Sequence, residues 1–437
     1  MTTKDITHFE TPEIDNTIVE YEHIEIRPFD NNLNSHGEIR LEINNENAYT
    51  RPSDSYLLIE GDYFKVDTDN GNVSIRHNKA NAIGTHTLVK EGLLYLFSNI
   101  RYEINNKQVE SIYNPGQVQN MLSYLLEDSS YNDTLSLGHC GVKDKSITVA
   151  NNAGVNERNS LLWSSTPDGA FSFYIPLKRL FGFFRDYDKL IFGTNQRLVL
   201  TRKHDDDAIY RTAAGDLSRI TLSKTSWFVP HVIANEKTMS SLLKFRTSNK
   251  DINLAFRGVS CTRYEVPQDT TFTYRLGAKP ATERPRYLLL GFQTDKENNQ
   301  ERNPALFDFL NLTNLSVRLN EKQYPTVEYT ANLARNDFMR LYTDAMKFKS
   351  KFFEIEQTES EITSSPGISP LEFRTLFPIF VVDLSKQVER AEKSLTDILI
   401  QARFGTAVPQ NTRLFSVLIS DTIMTLKSDG TRVILTS

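Results

Sequence analysis

The chain has 437 residues, length for two or three domains with a large buried core, and its 26 phenylalanines and 18 tyrosines supply core material worth roughly 2–3 kcal/mol for each ring well buried. A net charge of −5 with no basic stripe argues against a nucleic-acid-binding surface, and two cysteines, Cys140 and Cys261, are too few for a disulfide framework. With no signal sequence and no apolar run near the roughly eighteen residues a membrane helix needs, the reading is of a soluble product of a reducing compartment, without a membrane span.

Residues 1–16 are polar and aperiodic, a flexible N-terminal arm that is either disordered or orders against a neighbouring subunit. Thr17–Phe29 is rich in β formers, and Ile39, Leu41 and Ile43 alternate with Arg40 and Glu42 as a half-buried strand. Tyr56–Lys65 and Val73–His77 flank Asp69-Asn70-Gly71, a strong hairpin signal. Leu93–Ile104 reads as a strand. At Asn114-Pro115 an asparagine N-cap and a proline in the first turn predict a helix, whose apolar face is Val118, Met121, Leu122 and Leu125. Residues 129–168 read as a long polar loop, a type of insertion that is often functional or interface-forming.

The densest apolar and aromatic run is Phe171–Arg202. It predicts a strand up to Pro176, one short helix with Leu177, Leu180, Phe181 and Phe184 on a single face, and a second strand ending at Arg202. Ile220–Val232 begins as a strand and stops at Pro230. Residues 233–250 read as a short helical or irregular connection. In the second half, strands are predicted at 251–266, 272–276, 287–292, 315–319, 376–384, 397–404 and 414–419, with a helix over 333–350 and an acidic loop over 354–370. Ser428-Asp429-Gly430 predicts a last hairpin before Val433-Ile434-Leu435.

The halves echo one another. Ile104-Asn105-Asn106-Lys107-Gln108 ends a strand and leads to Pro115 and a helix; Leu319-Asn320-Glu321-Lys322-Gln323 ends a strand and leads to Pro325 and a helix. Each helix is followed by a long polar loop, an apolar strand (Phe171–Ile175; Phe377–Val382) and a strand ending in arginine (Leu198–Arg202; Ile398–Arg403). Many short strands, long end loops and brief helices fit an all-β protein of two tandem jelly-roll β-sandwiches, a double jelly roll with short inserted helices. The division reads as an arm over 1–16, a first roll over 17–232 and a second over 233–437. Three such subunits would make a near-hexagonal block.

Three places offer chemistry, each with a plainer alternative. Asp205-Asp206-Asp207 beside His204 could hold a cation, but lacks a second ligand set and reads rather as a solvated loop tip. Trp163 and Trp227 could stack on sugar rings, as in a carbohydrate-binding β-sandwich, though core or interface positions suit two isolated tryptophans better. His139-Cys140 could be a catalytic pair, but neighbours on a strand point to opposite faces. No other histidine sits at metal-ligand spacing, so no catalytic, cofactor-binding or metal residue is assigned and no cofactor is expected.

The ordered stretches Asp54–Gly61 (DSYLLIEG), Gly92–Asn105 (GLLYLFSNIRYEIN), Ile175–Arg202, Trp227–Val232 (WFVPHV), Arg284–Asp295 (RPRYLLLGFQTD), Phe307–Pro325 (FDFLNLTNLSVRLNEKQYP) and Phe377–Gln387 (FPIFVVDLSKQ) carry a resemblance. Through them the chain resembles the double jelly-roll major capsid proteins of Polinton (Maverick) elements and related adintovirus-like DNA viruses, particularly copies in animal genomes. The resemblance implies a structural role. Homotrimeric capsomers of pseudo-hexagonal outline would build an icosahedral shell around double-stranded DNA, with a smaller penton or minor capsid protein at the vertices and a packaging ATPase and protease as companions. It also implies residence in the virion capsid, no sequence-specific contact with nucleic acid, and no enzymatic activity.

Overall fold

A computed structural model of the chain describes residues 17–436 apart from 31, 45–48, 68–72, 78–83, 133, 166, 213–215, 249–250, 281, 356–365, 386–394 and 429–432. The N-terminal arm, the predicted turns Asp69-Asn70-Gly71 and Asp429-Gly430, and much of the 354–370 loop lie outside the described residues.

The first set of strands is β1 (Ile18–Ile26), β2 (Glu38–Ile43), β3 (Tyr56–Asp67), β4 (Val73–Arg76), β5 (His86–Leu88), β6 (Phe97–Ile104), β7 (Lys107–Tyr113), β8 (Ala170–Pro176), β9 (Gln196–Arg202), β10 (Ile209–Arg211) and β11 (Ser218–Ala234). One sheet runs β1-β11-β3, with β8 and β4 along the far edge of β3; the other runs β2-β9-β6-β7, and β5 and β10 pair apart. Inward positions follow the two-residue period: Ile39, Leu41 and Ile43 on β2 and Leu57 and Ile59 on β3 are buried while their neighbours are not. The sheets meet where Tyr102 of β6 stands edge-on to Trp227 of β11, centroids 6.2 Å apart.

The second set is β12 (Ile252–Glu265), β13 (Thr271–Lys279), β14 (Glu283–Thr294), β15 (Leu312–Leu319), β16 (Lys322–Thr330), β17 (Phe380–Asp383), β18 (Thr396–Phe404), β19 (Thr412–Ser428) and β20 (Val433–Thr436). Its sheets run β12-β19-β14-β17, with β20 on β19, and β13-β18-β15-β16. When the eight principal strands of each set are numbered in chain order, both sets give 1-8-3-6 facing 2-7-4-5. Each set is thus an eight-stranded jelly roll, and the whole is the double jelly roll expected. The repeated pentapeptides are the same hairpin in each roll, with Ile104 opposite Lys107 and Leu319 opposite Lys322. Asn105 (φ 50°), Asn106 (φ 62°) and Asn320 (φ 51°) take the left-handed conformations these tight turns require, which asparagine tolerates well.

Several local expectations are corrected. Gly92–Leu96 is a 3-10 segment, so β6 starts only at Phe97, and β17 covers Phe380–Asp383 rather than all of 376–384. The helix after β8 is two short helices, α4 (Leu177–Leu180) and α5 (Gly182–Asp186), joined at an extended Phe181. Residues 129–168 are not an open loop: they hold α2 (Ser129–Asn132), a 3-10 turn at Leu135–His139 and α3 (Ala153–Leu162), following α1 (Pro115–Leu126). Asn114 does precede α1, with Pro115 in its first turn, but it sits at φ 51° and its side chain does not cap. Pro325 lies within β16 and does not lead into a helix. The predicted 333–350 helix is a 3-10 turn at Leu333–Arg335 followed by Met339–Met346 and Phe348–Phe353. The 233–250 connection contains the helix Glu236–Thr247, and β11 runs past Pro230 to Ala234 because the backbone polar groups of Pro230 point away from β1, its carbonyl accepting from the Arg51 N–H (3.0 Å), so the ladder with β1 loses no donor there.

Candidate assembly interface

The rolls meet edge to edge, with β7 of the first beside β12 of the second. Glu110 of β7 is buried there. Its Oε1 accepts the backbone N–H of Gly182 (3.1 Å) and of Val259 on β12 (2.6 Å), and its Oε2 that of Phe183 (2.9 Å). Burial pushes this carboxyl up to about 7, against the three N–H groups, which favour the carboxylate. The first turn of α5 lies so close to β12 that a Cβ on Gly182 would meet the carbonyl oxygen of Arg257 at 1.7 Å. Asp186, ending α5, takes the Arg257 guanidinium on both oxygens (2.8 and 2.6 Å) and the Arg257 N–H as well (2.8 Å). Arg257 in turn covers the Phe352 ring at 4.1 Å.

A second tie comes from the polar insertion. Asp144 is buried and accepts from Arg158 (2.7 Å), Asn152 (3.0 Å) and, across the seam, Asn303 (2.9 Å). Lys143 donates to the Gly367 carbonyl (2.7 Å), and Lys349 pairs with Asp128. Behind it lies a buried charged cluster. Burial opposes ionisation of Glu91, but Arg179 at 2.7 Å, with Lys90, holds its carboxyl well below the ordinary value. These groups were not singled out in the sequence; the signal available was Lys90-Glu91 set between the apolar residues Leu88-Val89 and Leu93-Leu94.

The candidate chemical sites resolve into structure. Asp205 binds Arg202 and accepts from the Ile220 N–H (2.9 Å). Asp206 accepts from Gln300 (2.8 Å), and Asp207 from Lys203 (2.7 Å) and from the Asn298 N–H (2.7 Å). Rather than a solvated tip, the triplet is another tie between the rolls. Among the described residues no group of three or more His, Cys, Asp or Glu is arranged to hold a metal ion. Trp163 (1% exposed) and Trp227 (0%) are core residues and present no face to a sugar. His139 and Cys140 stand on a 3-10 turn and its left-handed cap, not on a strand. Burial pushes the Cys140 thiol up to about 12, so it is a neutral thiol rather than a nucleophile, and Arg179 donates to His139 Nδ1 (2.9 Å), fixing a neutral ring.

Two outer edges carry exposed apolar side chains. On β1, which among the described strands pairs only with β11, Ile18, Val19 and Ile24 are 53%, 69% and 40% exposed, and Phe29 just beyond it is fully exposed. On β16, which among the described strands pairs only with β15, Val327 is 69% exposed. It stands in a bulge where four residues, Pro325–Glu328, oppose one, Ser316. Among the described residues no helix is long and apolar enough to cross a membrane.

Two eight-stranded rolls fused along a buried seam make this a double jelly-roll protein. A family model for the double jelly roll-like domain matches residues 87–424, and the chain belongs to that family. No curated protein sequence matches it. Among solved structures it is similar to a chain of the Sputnik virophage (TM-score 0.62, 11% identity, covering 99% of this chain and 91% of that one). It is also similar to the Faustovirus major capsid protein (TM-score 0.58, 9% identity, 97% and 94% covered). The mavirus major capsid protein is a further match (TM-score 0.54, 10% identity, 100% and 93% covered). At these identities the likeness is one of fold.

Proposed function

We propose that the protein is a major capsid protein of the kind encoded by Polinton (Maverick) elements and adintovirus-like viruses. It acts as a structural subunit, not an enzyme, and resides in the virion. Three copies form a capsomer of pseudo-hexagonal outline, and capsomers tile an icosahedral shell around double-stranded DNA, with a penton or minor capsid protein closing the vertices. In this reading residues 1–16 are a flexible N-terminal arm, 17–232 the first roll and 233–437 the second.

The observation that carries the reading is the double jelly roll itself, which overlays viral major capsid proteins along nearly its whole length. The seam supports it, because a subunit that tiles a surface must hold its two rolls as one block. A net charge of −5 means that cations or a basic partner must offset packaged DNA. Electron microscopy of the purified chain tests the proposal. Hexagonal particles or closed shells are expected; single, unassociated subunits at every concentration contradict it.

A further inference from the structure

We infer that His77 and His86 form an acid-sensitive latch. While both rings are neutral they hold the β5–β10 ribbon and α3 against the first roll; when they take up protons they release those elements, and the two rolls stay joined. The latch is a property of the folded chain and does not depend on its assembly.

The two rings are 3% and 2% exposed, with centroids 4.6 Å apart. His77 follows β4, and His86 opens β5. Tyr63 of β3 walls them, 5.2 Å from His77 and 6.4 Å from His86, and the edge of Trp163, at the end of α3, lies 5.8 Å from His77. The hydrogen bonds fix where the protons are. His86 Nε2 meets the Asp216 carbonyl at 2.7 Å, and a carbonyl only accepts, so that nitrogen carries the proton. Its Nδ1 then accepts from the Thr85 hydroxyl at 2.8 Å. The Ser218 hydroxyl donates to the same carbonyl (3.1 Å), so its oxygen accepts from His77 Nε2 (2.9 Å). Each ring is thus neutral, and a second proton on either would place a charge inside a pair of touching imidazoles away from water.

The neighbouring charges do not offset that. Asp216 favours the charged rings, but its carboxylate is turned to Lys65 (3.7 Å) and only its backbone meets His86. Lys65 acts against a charge on His77, and Arg211 against one on His86. Burial is the largest influence on both, and it pushes His77 down to about 4 from the ordinary 6.5. The folded state therefore binds these protons more weakly than an opened one does. The stability held at the pair is complete above 6.5 and is lost as pH falls from 6.5 towards 4.

What opens follows from what the pair joins. β5 and β10 form a ribbon apart from both sheets, with His86 opposite Arg211. Asn159 of α3 donates to the His86 carbonyl (3.0 Å), and Ser218 begins β11. Ribbon, α3 and the β1-β11-β3 sheet converge on the two rings. The seam responds in the opposite sense, because Glu110 gains stability on taking up its proton below 7. Between pH 6.5 and 4.5 acid thus loosens this part of the first roll while it tightens the join between the rolls.

Hydrogen–deuterium exchange with mass spectrometry on the full chain, at pH 7.5 and 5.5 and corrected for the intrinsic rate, tests the latch. Opening of β5, β10 and α3 should rise about tenfold at pH 5.5 from His77 alone, while β7 and β12 lose no protection. The double variant His77→Gln and His86→Gln keeps an amide donor where each Nε2 stands, and should hold its protection equally at both pH values. Equal protection of the wild type at both pH values overturns the latch. So does the same acid response in the double variant, or a loss that includes β7 and β12. If the double variant does not fold, His77→Gln alone must move the midpoint of the acid response, and an unmoved midpoint overturns the latch as well.

Discussion

Glu110 shows how much of the seam rests on single atoms. Its oxygens receive three backbone N–H groups from two rolls, and none of these donors could take a carboxyl proton. The folded value of about 7 lies above the ordinary 4.5, so the folded state binds the proton more tightly than the unfolded chain does. Its contribution to stability therefore grows as pH falls from 7 towards 4.5, by on the order of 3 kcal/mol, and is absent above 7. Glu110→Gln removes this dependence. Urea midpoints at pH 8 and pH 5 should differ between wild type and variant in that direction; parallel behaviour would contradict the assignment. Gly182 is the complementary steric case. With the Arg257 carbonyl 1.7 Å from where a Cβ would stand, Gly182→Ala must push α5 off β12. The expected loss is about 3 kcal/mol or more, read as a lowered melting temperature. An unchanged melt would mean that the rolls are not seated this closely.

Among elements, the pair α4–α5 links the first roll's core to the second roll. Phe184 is fully buried, 4.7 Å from Tyr102 and 5.3 Å from Phe181, while Phe183 on the same helix reaches Phe256 of β12 at 5.3 Å. Phe184→Ala should cost roughly 3–5 kcal/mol and give insoluble subunits rather than malformed shells. Soluble, normally melting variant protein would refute that placement. The strands were legible because half-burial writes a two-residue period into Ile39-Leu41-Ile43 and Leu315-Val317-Leu319, and the roll duplication because both hairpins need asparagine at a left-handed position. The insertion 129–168 was not legible. It is fixed by long-range polar pairing, Asp144 with Arg158 and Asn303, which leaves no periodicity in the sequence. Glu110 was hidden for a related reason: nothing within Lys107–Tyr113 marks a carboxylate as buried, and the groups that enclose it, on α5 and on the neighbouring roll, are distant in sequence.

At the scale of the molecule, the two rolls share one topology but not one surface. Insertions of the first roll, from Asp128 to Asp207, spend their charges on the second, through Lys349, Asn303, Gln300 and Asn298. The result is a two-roll block whose outer edge strands, β1 and β16, are unlike. The most direct measurement is the mass of the purified chain in solution, by size-exclusion chromatography with light scattering. The account predicts three subunits, or larger assemblies of them, at micromolar concentration. A strictly monomeric chain under those conditions would contradict it.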